Sequence, residues 1–211
     1  MFDTIKQAEA IVGSLSTPSK MPCYSYSIPA QKCITGAKLR TVENSVCSKC
    51  YALKGNYGFP VVKAALFKRF ESLKNSLWVE AMVFMIAAKE KSGFFRWLDS
   101  GDLQGDWHLS KMVEVAKRLP AIKFWLPTRE YKIVADWLKV HGAFPDNLTV
   151  RLSAYMLDGE PPIALALRLG CQTSGVSKGA YTCPASKQDN QCGDCRSCWD
   201  KSVSNISYKQ H

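Results

Sequence analysis

The sequence predicts an α/β protein built on a parallel sheet, and three observations carry that expectation. From residue 94 onward short apolar runs alternate with amphipathic stretches: FFRWLD at 94–99, IKFWLP at 122–127, NLTVRLSAY at 147–155 and CQTSGVS at 171–177. The runs recur at roughly 25 to 28 residues, the length of a βα unit with short connections. A chain of 211 residues with 46% apolar content is long enough for one substantial core, and nothing in its composition indicates disorder or a second domain. A partial (β/α) barrel and a small open α/β sheet both satisfy this pattern.

Taken in order, DTIKQAEAIV at 3–12 predicts a short helix, followed by a polar, Ser-rich link to residue 22. Residues 20–58 form a cysteine-bearing loop, irregular in pattern and punctuated by Gly36, Gly55 and Gly58. The βα core spans residues 60–178. Val62, Leu66, Phe70 and Leu73 fall at helical spacing just after Pro60, a residue favoured at helix starts. Ser76 is the expected N-cap of LWVEAMVFMIAAKEK, which is apolar nearly all round and stops at Gly93. Asp106 is expected to cap WHLSKMVEVAKRL, Gly142 to end YKIVADWLKVHG, and PPIALALRLG to supply the last helix before CQTSGVS, the last strand. Residues 179–211 form a C-terminal cysteine-rich segment of the same single domain.

Ligands of parallel α/β proteins bind outside the carboxyl ends of the strands. The residues expected there are polar. The first strand runs into Asp99, Ser100, Gly101 and Asp102, and the second into Thr128, Arg129 and Glu130. The third carries Arg151 and Ser153, and the fourth ends on Thr173, Ser174 and Ser177. Arg129 and Arg151 offer planar forks for a carboxylate or phosphate. Asp99 and Asp102 suit acid–base work or a ribose. The candidate catalytic set is therefore Asp99, Asp102, Arg129, Glu130 and Arg151, with Ser100, Thr128, Ser153 and Ser174 as cofactor-binding hydroxyls. The competing structural reading makes Asp102 or Asp106 a helix cap and places Glu130 at the positive end of the next helix.

Nine cysteines fall mostly in two groups. Cys183, Cys192, Cys195 and Cys198 lie in CPASKQDNQCGDCRSCW, and Cys33, Cys47 and Cys50 in CITGAKLRTVENSVCSKCYA. The C-x2-C-x2-C run at 192–198 has the spacing that wraps three corners of an iron–sulfur cube, with Cys183 available for the fourth. Four thiols would also suit a structural zinc. The upstream three would leave one iron of a 4Fe-4S cluster open, and sequence does not divide the seven between sites. Cys23 is either a fourth ligand or core, and Cys171 opens an apolar strand and reads as core. His108 and His141 read as structural or surface groups, and His211 as a tail that folds back as an outer ligand or stays free.

The formal net charge of +10 is concentrated upstream: residues 1 to 75 hold 11 Lys and Arg against 4 Asp and Glu. Such a surface attracts anionic small molecules or nucleic acid. The longest apolar stretch, AMVFMIAA, is too short to cross a bilayer, and residues 1–20 lack a secretory pattern. The expectation is a cytoplasmic protein with reduced thiols, no membrane partner and metal or cluster ligation in place of disulfides.

The motifs SVCSKCYALKGNY, FRWLDSGDLQ, FWLPTRE, NLTVRLSA and CGDCRSCWD, with the terminal Y-x2-H, resemble the phage gene-product-88 family over residues 20–211. The resemblance implies an iron–sulfur protein of viral origin acting in the cytoplasm of the phage host. More distantly, a cysteine loop ending in C-x2-C-Y before a series of βα units is similar to radical S-adenosylmethionine enzymes. That likeness implies a partial (β/α) barrel-like parallel sheet, with Cys33, Cys47 and Cys50 matching the cluster ligands and S-adenosylmethionine as cofactor. The superfamily spacing is C-x3-C-x2-C. This chain has C-x13-C-x2-C, and SGD where a Gly-Gly-Glu-like stretch follows the first strand. The resulting expectation is a 4Fe-4S enzyme using radical or Lewis-acid chemistry on an anionic small molecule. The competing expectation is a nucleic-acid-binding protein held in shape by zinc or a closed cluster.

Overall fold

A computed structural model describes residues 2–210. The βα alternation builds six strands: β1 (Ser25–Tyr26), β2 (Phe94–Trp97), β3 (Lys123–Thr128), β4 (Leu148–Leu157), β5 (Gln172–Ser177) and β6 (Asn205–Lys209). They lie side by side in chain order, every neighbouring pair parallel. Sequential parallel order is the order of a (β/α) barrel. Here the sheet stays open, since β1 and β6 do not pair among the described residues.

Helices occupy four of the five crossovers. The chain opens with α1 (Ile5–Val12), where Thr4 and Gln7 form a reciprocal capping box. Between β1 and β2 run the short α2 (Thr35–Leu39), then α3 (Pro60–Ser72) and α4 (Trp78–Lys89); α3 starts on Pro60 as expected. The next three crossovers hold α5 (Asp106–Arg118), α6 (Tyr131–His141) and α7 (Ile163–Leu169). The fifth, from β5 to β6, has no α-helix among the described residues. The C-terminal cysteine segment takes its place.

The two sheet faces differ because side chains alternate along each strand. Phe95, Trp97, Phe124, Leu126, Val150 and Leu152 point into the main core, together with Val12, Leu73, Met82, Met112, Val134 and Ala166 from the helices. Trp97 stacks on Trp78 and Phe124 with ring centres 6.1 and 5.9 Å apart. Truncating such a buried aromatic typically costs about 3–5 kcal/mol. The opposite face carries Arg96, Trp125, Arg151, Ser153 and Ser174, and no helix of the main core covers it. A second cluster forms there from Cys23, Trp125 and Trp199, with Met21, Phe94, Cys198 and Tyr208 packed against it.

Several local expectations are corrected. CQTSGVS is not the last strand: β6 follows at the sheet edge, and the two-residue β1 opens the sheet at the other. β1 is too short to show a period, and β6 alternates Ile206 and Tyr208 with polar residues over only five positions. Ser76 does not cap α4; the cap position is Leu77, whose N–H donates to Asn75 Oδ1 at 2.8 Å. Asp106 is the first residue of α5 and not its cap, which is Gly105. The turn after β2 requires Gly101. Its φ is +81°, and a Cβ there would collide with Ile28 Cγ1 and lie 2.7 Å from the Ile28 carbonyl oxygen.

Candidate functional site

The strand ends open into a cavity of about 520 Å³. Six of the seven candidate ligand cysteines line it: Cys33, Cys47, Cys50, Cys183, Cys192 and Cys198. Cys195 does not, and its Sγ lies 3.4 Å from Ser197 Oγ. Two segments that are 150 residues apart in sequence therefore meet over one sheet face. Each is fastened by a charged residue of the sheet, Glu130 just past the end of β3 and Arg151 within β4.

Glu130 fastens the first. Its carboxylate accepts from the backbone N–H and the hydroxyl of Thr35, each at 2.7 Å, two residues after Cys33. Three further contacts hold the same loop: Val46 N–H donates to Tyr155 O, Leu157 N–H to Asn44 O, and Arg40 Nη2 to Ala30 O. Arg151 fastens the second. Its Nε donates to Cys198 O, Nη1 to Thr173 O and Val203 O, and Nη2 to Ser197 O and Asp200 O, over 2.7–3.2 Å. A guanidinium has five N–H donors, and all five are used here. Arg151 thus has no donor left for a ligand, and both Oε atoms of buried Glu130 are taken. Neither residue is among those that line the cavity, and both hold the cysteine segments.

The remaining candidates divide similarly. Asp99 lines the cavity, but its Oδ1 accepts from the hydroxyls of Ser25 and Ser27 and its Oδ2 from Tyr57 at 2.7 Å. It binds β1 and the tyrosine-bearing loop to the end of β2. Asp102 also lines the cavity. It accepts from Thr128 Oγ1 at 2.6 Å, Arg129 N–H at 2.9 Å and Leu103 N–H at 2.8 Å. Burial raises its pKa to about 6, against the lowering effect of those hydrogen bonds. Arg129 faces the cavity and donates from Nε to Ala154 O at 3.0 Å, while neither terminal nitrogen has a hydrogen-bond partner among the described residues. Ser153 and Ser174 share a 3.0 Å hydrogen bond on the cavity wall. Ser100 lines the wall but gives its proton to Ile28 O, and Thr128 is committed to Asp102.

The thiols interact within each group. Burial pushes Cys33 up to about 12, with Asp102, Cys50 and Cys47 adding in the same direction. Burial likewise raises Cys47, opposed by Arg129. In the second group burial raises Cys198 to about 11, opposed by the hydrogen bond at 3.3 Å with the Tyr208 hydroxyl. Burial and the neighbouring Cys183 raise Cys192. The protein alone thus keeps these thiols protonated, and a metal binding there would displace protons.

Among the described residues no three His, Cys, Asp or Glu groups converge closely enough for a single metal ion. The thiols instead surround a space. A Cβ on Gly36 would lie 3.6 Å from both Cys33 Sγ and Cys47 Sγ, so the missing side chain keeps the gap between them open. Cys171 is buried in the main core and Cys23 in the second cluster, so both read as packing residues. His108 is fully buried with no hydrogen-bond partner for either nitrogen, and exposed His141 stacks on Trp137 at 4.7 Å. His211 lies outside the described residues.

Arg96, Trp125 and Tyr208 are among the cavity residues that the sequence does not single out. For Arg96 the signal was present. An arginine between Phe95 and Trp97 sits on the face opposite to theirs. Tyr208 lies in β6, which had read as a tail.

These features define an α/β protein with a thiol-lined cavity at the carboxyl ends of an open parallel sheet. Residues 3–201 match the family model described as Gene product 88, and the chain belongs to that family. No curated protein and no solved structure matches it. No helix among the described residues is long and apolar enough to cross a membrane.

Proposed function

We propose that this gene-product-88 protein is an iron–sulfur enzyme, with a 4Fe-4S cluster held by Cys33, Cys47 and Cys50 and an anionic small molecule bound beside it. The observation that carries the reading is a shared cavity: these three neighbouring thiols face the same space as Arg129 and Asp102. Thiols spread around a space suit a polynuclear group better than a lone zinc, whose thiolates must all lie about 2.3 Å from one centre. With three cysteine ligands such a group keeps one iron open and supplies an electron or a Lewis acid when bound, S-adenosylmethionine being the candidate cofactor for the first.

The chain's own residues would bind and orient. The terminal nitrogens of Arg129 present charge-assisted donors to a carboxylate or phosphate. Asp102 holds the backbone of that arginine in place, and below about pH 6 it carries a proton at the cavity wall. Ser153 and Ser174 offer hydroxyls to a polar ligand. Cys183, Cys192, Cys195 and Cys198 form a second thiol set, suited to a cluster or zinc that stiffens the C-terminal segment.

Anaerobic purification with iron, sulfide and zinc analysis tests the reading. About four irons and four sulfides per cluster are expected, lost in Cys47→Ala and retained in Cys171→Ala, with a reduced-state spin-resonance spectrum that changes on adding S-adenosylmethionine or substrate. Zinc alone, with no iron recoverable by reconstitution and salt-sensitive nucleic-acid binding, would replace the enzyme with a binding module.

A further inference from the structure

Three arginines occupy or border the second sheet face, and their hydrogen bonding separates them. Arg151 spends all five donors on backbone carbonyls. Arg129 spends one. Arg96 has a buried Nε with no partner, and its Nη1 reaches only the thioether sulfur of Met21 at 3.5 Å. The guanidinium lies over the Trp125 ring, 4.4 Å from its centre, and these two residues are register partners across β2 and β3.

A guanidinium remains charged at any ordinary pH, and burying it without an anion is costly. The Trp125 face offsets only part of that cost. Among the described residues no carboxylate lies within 4.0 Å of Arg96. Asp99 is near enough for its charge to favour the cation, but its oxygens take hydrogen bonds from Ser25, Ser27 and Tyr57 and none from the guanidinium, so the Nε of Arg96 stays unfilled. A thioether is a weak acceptor that a ligand oxygen would readily displace. Arg96 lines the cavity, and Lys20, Lys49 and Lys209 add positive charge around it.

We propose that Arg96 is the anchoring residue for an oxyanion, carboxylate or phosphate, carried by the ligand of this cavity. The proposal rests on the reading of the cavity as a ligand site and narrows its occupant to a molecule whose anionic group reaches β2. Arg129, nearer to Cys47, would then contact a second part of the same ligand. The anchor holds whether or not a cluster is present, so the two ideas can fail separately.

The test is a thermal-shift titration of the anaerobically purified full chain with inorganic phosphate and, separately, succinate, at constant ionic strength. Iron is measured on every sample. In the wild type one of the two anions raises the melting temperature by about 3–5 °C at ten times its dissociation constant, and the responding anion names the group. The rise is lost in Arg96→Gln and kept in Lys63→Gln, a substitution on the exposed surface. Arg96→Lys retains the charge without the planar fork. It is expected to bind about tenfold more weakly, and it serves if Arg96→Gln does not fold. No rise with either anion, or an equal rise in the Arg96 variants, overturns the proposal. Loss of bound iron from Arg96→Lys also overturns it, making the arginine a counter-charge to the metal. A wild type without iron that still shows the Arg96-dependent rise would defeat the cluster reading and leave the anchor standing.

Discussion

The two cysteine segments cover the same sheet face, and opposite chemistry holds them there. The first presents donors, the backbone N–H and the hydroxyl of Thr35 where a short helix begins, and a carboxylate from Glu130 takes them. The second presents carbonyls, at Ser197, Cys198, Asp200 and Val203, and a guanidinium from Arg151 takes them. Each is tied by charge-assisted hydrogen bonds to a sheet that the main core makes rigid. The lesson is that charged residues on one face of a parallel sheet can fasten the loops that cover it. The anchoring also differs in breadth. The first loop has further backbone bonds to β4. The second has further ties too, from Thr149 Oγ1 to Trp199 O, from Trp199 Nε1 to Phe95 O and from Cys192 N–H to Lys20 O, but Arg151 alone supplies four of its hydrogen bonds.

The strongest way to break the comparison is Arg151→Met. It removes a buried cation and leaves five carbonyls without their donor, at a cost of roughly 3–5 kcal/mol. Urea unfolding should register the loss, and alkylation of Cys198 should accelerate while Cys33 reacts at its wild-type rate. Equal acceleration at both thiols would mean that the segments are not held independently.

A smaller effect concerns the core beneath both segments. Burial lowers the pKa of His108 to about 3, with Lys111 adding slightly in the same direction. The unfolded chain takes up a proton near pH 6.5 and the folded chain does not. Stability from this residue is thus complete above pH 6.5 and falls as the pH drops toward 3. Between pH 7.5 and 5 the loss is about 2 kcal/mol. Asp102, whose pKa is raised, has the opposite slope between its unfolded value near 3.8 and about 6. The measurement is accordingly the difference between wild type and His108→Leu, in which Asp102 cancels. An identical pH slope in the two proteins would remove His108 from the account.

The smallest effect is expected from Glu130→Gln, about 1–2 kcal/mol, because an amide still accepts one hydrogen bond and the backbone bonds to β4 remain. Cys33 should alkylate several-fold faster and Cys198 should not change. A loss as large as that of Arg151→Met would show that Glu130 holds the first loop as strongly as Arg151 holds the second.

Much of the fold was readable before the structure. β2 to β5 and all the longer helices follow from apolar periodicity, since a strand buried on a sheet and a helix packed on it impose periods of 2 and 3.6. The edge strands β1 and β6 were not readable, because two residues carry no period in one case and the single Ile206–Tyr208 alternation is too short to stand out in the other. The cavity was half readable. Asp102 and Arg129 line it as expected, whereas Arg96 is hidden in an apolar run, and Glu130 and Arg151 stand outside the cavity wall and hold the cysteine segments.

By itself the sequence determined the class of fold, the two thiol groups and the polar strand ends, since these are properties of composition and local spacing. Only the tertiary structure decided what the charged groups do. The partners of Arg151 lie 22 to 52 residues away and those of Glu130 95 residues away. Whether a guanidinium is spent on carbonyls or left facing a cavity depends on which segments the fold brings within 3 Å of it. Local sequence carries no record of that distance.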